Sequence, residues 1–445
     1  MAYGSASVGL IVGLAACEHT GLIRAGQTNP IQDPEPPQWP LTRPPSQPPL
    51  AAATAGRVVS SYTTTWDTTL TLTWKQAALR DRTVQTRSFF RIMAIPAAHK
   101  LSSIEALRGV AATVVVLSHS ARHIDKAFGD PALITAFQAS HAGVDLFFVI
   151  SGFIILFVHY PDIGQPGRLS NYVQRRFTRV MPLYWIALVL TLAMSAAGSG
   201  PLPLASSLLW SASLLPMQHE PFLGIAWTLQ YEAVFYVVFA VLIVQRAAGL
   251  ALFAAWLAVI ASSIAGYQTA SLPSGLSGAY SIEFFFGMVT AHLVRQRQVP
   301  VPMLLAVAGL SLFGMAMVFE SAGLLDGFAN LARFAYGIPA ALLVAGLAAS
   351  EQKTGLIVSA PLRLLGGASY SIYLFQFVFI GIVWQAWLKA GIGQHAPHII
   401  LFAALAFSAV IGGVLVSRFV EKPLLRLVRR RNKAIGVGVL HRSDV

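Results

Sequence analysis

The chain has 445 residues, of which 55% are apolar and only 11% charged, against about 25% charge in soluble domains. With a positive mean hydropathy, this argues against an ordinary soluble fold and predicts an all-α polytopic membrane protein. The net charge of +13 does not mark a nucleic-acid binder, because the basic residues fall between apolar runs and near the C-terminus rather than in one stripe. A single cysteine, Cys17, excludes an intrachain disulfide and a cysteine-based metal site.

Residues 1–95 differ from the rest. They hold "NPIQDPEPPQWPLTRPPSQPP" and a Thr-rich stretch, a composition that cannot bury a core and is expected to be disordered. "GLIVGLAAC" ends like a lipoprotein cleavage box, but no Lys or Arg precedes it, so support for a secretory signal is weak. Met93, just before "AIPAAHKLSSIEALRG", is a candidate start that would leave the preceding segment as misassigned upstream translation. Residues 96–426 then form the membrane domain, and 427–445 a basic cytoplasmic tail.

From residue 101 onward, apolar stretches recur near 103–120, 141–159, 182–198, 225–244, 247–265, 279–294, 301–318, 330–349, 367–387 and 398–416. Each can cross a hydrocarbon core of about 30 Å, some with help from flanking polar residues. A further stretch at 202–216 is shorter and closed by prolines. If it does not cross and the N-terminus is cytoplasmic, the inner loops and tail hold 17 Lys and Arg and the outer loops 3. That is a strong positive-inside asymmetry. About ten spans, both termini cytoplasmic, and 202–216 re-entrant or interfacial are therefore expected.

Ionisable residues inside such spans are costly and mark function. In "EALRGVAATVVVLSH", Arg108 and His119 lie eleven residues apart, about three helical turns, so they share a face and are separated by roughly 16 Å. Arg108 falls near the inner end of the first span and His119 near its outer end. By the same topology Asp145, Glu232 and Glu283 fall in the outer part of their spans, so one His and three carboxylates are expected to converge there. At the inner surface "RRFTR" supplies Arg175, Arg176 and Arg179, suited to bidentate phosphate binding. A neutral His can serve as general base with a carboxylate fixing its tautomer. The gap between arginine and histidine suits a long donor with phosphates at one end and a reactive group at the other. Coenzyme A esters have that shape, as would other elongated amphipathic molecules.

Six motifs in order, "LRGVAATVVVLSH", "GVDLFFVISGFI", "RRFTRVMPLYW", "WTLQYEAVFY", "GASYSIYLFQF" and "FVEKPLLR", resemble the acyltransferase-3 family of integral membrane acyltransferases over residues 101–426, most closely its exopolysaccharide-modifying branch. The resemblance implies a ten-span enzyme of the bacterial inner membrane. It would move an acetyl or other short acyl group, not an aminoacyl group, from cytoplasmic acyl-CoA to a hydroxyl of an exopolysaccharide or lipid-linked sugar. Acyl-CoA would be a co-substrate, with no bound cofactor and no metal; membrane lipids and a glycan acceptor are the other expected partners. His119 would be the base, with Asp145 or another carboxylate orienting it. Glu232 matches the family's membrane carboxylate, and Arg108, Arg175, Arg176 and Arg179 would hold the donor. Where many members carry a His in the segment matching "SIYLFQF", this chain has Gln376, which cannot titrate but can hydrogen-bond substrate.

Glu283, Arg333, Tyr373 and Gln376 are weaker candidates for acceptor binding. Arg333 could equally pair with Glu283, and Tyr370 and Tyr373 could simply pack. Gly143 and Gly152 most simply let helices approach closely. On physical grounds alone, a proton-coupled transporter of a solute or glycan fits the same buried charges. Internal repeats with paired broken helices would favour it, and none is found.

Overall fold

The computed structural model describes residues 101–197, 202–216, 220–267, 272–391 and 397–428. The expectations for the Pro-rich N-terminal segment, the Met93 start and the end of the basic tail lie outside these residues. The described chain is helical, and among it nine helices are long and apolar enough to cross a membrane.

In chain order the main helices are α1 (Ser102–Phe128), α2 (Pro131–Phe137), α3 (Gly143–His159), α4 (Leu169–Ala197), α5 (Ala205–Ser213) and α6 (Trp227–Val244). They continue with α7 (Arg246–Ile264), α8 (Ile282–Arg295), α9 (Pro302–Ser321), α10 (Ala332–Thr354), α11 (Ala360–Lys389) and α12 (His398–Val416). Nine of the ten expected spans reach full length. The sixth, α8, has 14 residues, about 21 Å of helix, and a 3-10 turn at Ala279–Ser281 leads into it. It packs inside the bundle on α3 and α10, with Glu283 and Phe284 buried.

Two helices overrun their expected bounds furthest. α1 continues to Phe128, carrying Arg122 and Lys126 that composition assigns to a loop, and stops at Gly129 in the left-handed region (φ 67°). α4 begins at Leu169 rather than near Pro182, so "RRFTR" is helical and Pro182 sits inside the helix, as membrane helices tolerate. α5 has nine residues, about 14 Å, too short to cross. Tyr184 and Trp185 of α4 hold it through the Ser211 and Ala212 carbonyls, at 2.6 and 2.9 Å.

Close approach fixes the helix that carries Arg108 and His119. A Cβ added at Gly366 would sit 2.2 Å from the Glu105 carbonyl oxygen, and one at Gly109 2.5 Å from the Gly366 nitrogen. Gly109 meets Gly366 and His119 meets Gln376 at the same sequence offset of 257, so α1 and α11 run parallel. That requires an odd number of crossings between them, and there are seven when α8 crosses and α5 does not. At its start α1 is held by Glu351 of α10, whose two carboxylate oxygens accept from the backbone and hydroxyls of Ser102 and Ser103 at 2.5–2.8 Å. Gly366→Val is expected to destabilise the bundle by about 1–3 kcal/mol, the cost of overpacking, read as a lower melting temperature in detergent. Gly152 plays the same part between α3 and α8, where a Cβ would lie 2.1 Å from the Phe284 carbonyl oxygen.

Candidate active site

Parallel packing lets depth be measured along α1. Arg108 lies between one and two turns above the start of α1. α6 enters the bundle after the buried 3-10 turn Gly224–Ala226. Its Thr228 hydroxyl is 2.9 Å from the Tyr373 hydroxyl of α11. The constant α1–α11 offset puts Tyr373, and with it Thr228, level with about residue 116 of α1. Glu232, one turn further along α6, lies lower still, near the level of Arg108, which feels its charge.

Around Glu232 a basic cluster forms. Its carboxylate accepts from the Tyr236 hydroxyl and from Ser151 Oγ, the latter at 3.2 Å. Arg176 reaches inward from α4: its guanidinium lies 5.6 Å from the Tyr236 ring centroid and donates to His159 Nε2 at 3.0 Å. His159 in turn donates from Nδ1 to Asp162 at 2.8 Å. Arg179 acts electrostatically on both Arg108 and Tyr236. It stays beside α11 because the Tyr370 hydroxyl donates to the neighbouring Val180 carbonyl at 2.9 Å. Arg108, Arg176 and Arg179 thus gather near Glu232, with Glu105 beside Arg108 and Asp162 beside His159; counting Arg175, the arginines outnumber the carboxylates. Arg175 is exposed, on the rim near His159.

Above this cluster lies a narrow cleft of about 60 Å³. Arg108, Glu232, Ser151 and Tyr370 line it, as do Thr228 and Tyr373. It therefore extends from the arginine level to within one helical turn of His119, which does not line it. His119 is 5% exposed and buried inside the protein. Its ring lies against Phe377 (centroids 4.7 Å apart) and its Nδ1 is 2.8 Å from Gln376 Oε1.

The remaining charges form a separate group at the other end. Arg333 of α10 is 1% exposed; it pairs with Asp145, donates to the Gly327 carbonyl and stacks at 4.0 Å over the Tyr280 ring. Glu283, fully buried, lies beside Asp145. Next to them Glu320 joins His141 Nε2 at 2.8 Å and the Tyr336 hydroxyl at 2.5 Å.

The expected convergence of His119 with three carboxylates is therefore corrected. Asp145 does not orient His119, because Arg333 holds it. Glu232 sinks to the Arg108 level, because α6 starts deeper in the bundle than its hydropathy window implies. Glu283 and Arg333 are sealed inside an ion-pair cluster rather than offered to an acceptor. Gln376 is also unavailable to an acceptor, since its amide oxygen meets His119 and its nitrogen donates to the Tyr373 carbonyl at 2.9 Å. Tyr373 keeps its place at the cleft. Ser151, His159 and Tyr236 were missed: each sits within a quoted or adjacent motif, but only tertiary packing brings them to Glu232 and Arg176.

Crossing helices folded around an internal cleft define an all-α polytopic membrane protein. Residues 101–418 match the family model of the acyltransferase domain, and the chain belongs to this acyltransferase family. The exopolysaccharide production protein ExoZ of Rhizobium meliloti (strain 1021) is 32% identical over 317 residues, covering 68% of this chain and 95% of the relative. The acyltransferase MdmB of Streptomyces mycarofaciens is 28% identical over 386 residues, covering 76% and 94%. No solved structure matches the chain.

Proposed function

We propose that this protein is an acyl-CoA-dependent O-acyltransferase of the bacterial inner membrane that modifies a hydroxyl of an exopolysaccharide or lipid-linked sugar. The observation that carries the donor side is the surplus of positive charge around Glu232, opening into a cleft that rises toward His119. Arg176, Arg179 and Arg108 hold the phosphates of acyl-CoA, with Arg175 on the rim. Arginine suits this task because its planar fork matches phosphate geometry. The positive-inside asymmetry supports a cytoplasmic location for this end, where acyl-CoA is made. The pantetheine arm lies in the cleft, whose mixed lining of aromatic rings and hydroxyls suits an amphipathic chain.

His119 acts as general base. The acceptor hydroxyl gives its proton to the imidazole as its oxygen bonds to the thioester carbonyl carbon. The carbon–sulfur bond then breaks, and the imidazolium returns the proton to the coenzyme A thiolate, so the step balances without a further reagent. Glu232 holds Tyr236 and Ser151 along the cleft wall and offsets part of the arginine charge. The name of the Rhizobium relative supports a polysaccharide acceptor, and family membership favours transfer over transport.

Purified protein supplied with radiolabelled acetyl-CoA and a glycan acceptor tests this reading. Arg108→Ala is expected to raise the donor KM about tenfold or more, the loss of one charge-assisted contact, with a smaller change in kcat. Transfer that is indifferent to acyl-CoA, or an unchanged KM in Arg108→Ala, would remove the donor assignment.

A further inference from the structure

The Gln376 amide has only one orientation that satisfies its surroundings. One end faces the Tyr373 carbonyl at 2.9 Å and the other faces His119 Nδ1 at 2.8 Å. A carbonyl is an acceptor only, so the end facing it must be the NH2. Reversing the amide would set two oxygens against each other inside a fully buried site, since Gln376 is 0% exposed. The end facing His119 is therefore the oxygen, which is also only an acceptor. A neutral imidazole meeting an acceptor at Nδ1 must carry its proton there. Its lone pair is then at Nε2.

The surroundings hold this arrangement in place. The Tyr373 hydroxyl is anchored to Thr228 Oγ1 at 2.9 Å and the Ile225 carbonyl at 3.3 Å, which ties this turn of α11 to α6. The His119 ring packs on Phe377, the residue after Gln376, and rotating the ring to exchange its two edges would set a carbon against the Gln376 oxygen and lose the hydrogen bond.

Resting on His119 as the base, we propose that Gln376 is the positioning residue that selects its tautomer: it accepts from Nδ1–H and makes Nε2 the proton-accepting atom. A neutral amide thus does here what an orienting carboxylate does elsewhere. It leaves no extra negative charge in the membrane interior, where a carboxylate would be costly. It also stabilises the imidazolium formed during the step, because the Nδ1–H bond persists after Nε2 is protonated.

The test uses full-length protein in detergent micelles or lipid. With 15N-labelled histidine, the signal lost in His119→Asn identifies the ring, and its couplings to Hδ2 and Hε1 distinguish the two nitrogens. The neutral wild-type ring is expected to show a protonated Nδ1 and an unprotonated Nε2. Gln376→Met, of similar length but with no acceptor, is expected to mix the tautomers and to lower kcat at least about tenfold with little change in donor KM. A wild-type ring protonated at Nε2, or a Gln376→Met protein with wild-type kcat, overturns the proposal. If His119→Ala is itself active, the base reading fails; if His119→Ala is inactive while Gln376→Met is unaffected, only the role of Gln376 fails.

Discussion

His119→Ala is expected to lower the acyl-transfer rate by about a hundredfold to ten-thousandfold, the usual contribution of a positioned general base, while leaving donor binding intact. The separation of the two effects follows from depth. The arginines proposed to bind the donor sit around Glu232, and His119 lies about three turns above Arg108 on the same helix, outside the cleft lining. Removing the imidazole therefore leaves the phosphate contacts in place and removes only the proton acceptor. The readout is kcat falling with KM for acyl-CoA unchanged. His119→Ala also frees the Gln376 oxygen in a buried site, so some loss of stability accompanies it. Measuring kcat on the folded fraction keeps the two apart.

Arg333→Met has the largest expected effect on folding. Arg333 and Asp145 are 1% and 0% exposed, and Glu283 is buried beside them. Breaking such a pair by removing one partner costs about 3–5 kcal/mol, because an uncompensated charge stays behind. Here the cation serves two carboxylates, from α3 and α8, and also ties α10 to the Gly327 carbonyl. Thermal unfolding in detergent is expected to show the loss. The double variant Asp145→Leu with Arg333→Leu is expected to recover much of it, since apolar replacement of both members is often nearly neutral. A single variant as stable as wild type would mean that the pair does not hold these helices.

Much of this was legible in the sequence, and the parts that were not share a cause. Spans, the non-crossing status of 202–216 and the Arg108–His119 face follow from hydropathy, loop charge and a 3.6-residue period, all local properties. Depth within the bundle is not local. The edge of its apolar window implies an outer position for Glu232, yet α6 begins inside the protein after a buried turn. Asp145 pairs with Arg333, 188 residues away, and His119 with Gln376, 257 away. A residue that cannot titrate gives no sequence signal for tautomer control. The close contacts at Gly109, Gly152 and Gly366 are different: small residues in apolar runs announce near approach, and Gly152 was read that way.

The central claim is that a donor held at the arginine end meets the imidazole within one continuous interior. Reconstituted proteoliposomes, with radiolabelled acetyl-CoA supplied only at the face bearing Arg176 and Arg179 and glycan acceptor only at the other, measure this most directly. Label is expected to appear in the acceptor with wild-type protein and to be absent with His119→Ala. Label transferred only when donor and acceptor share a face, or transferred equally well by His119→Ala, would contradict it.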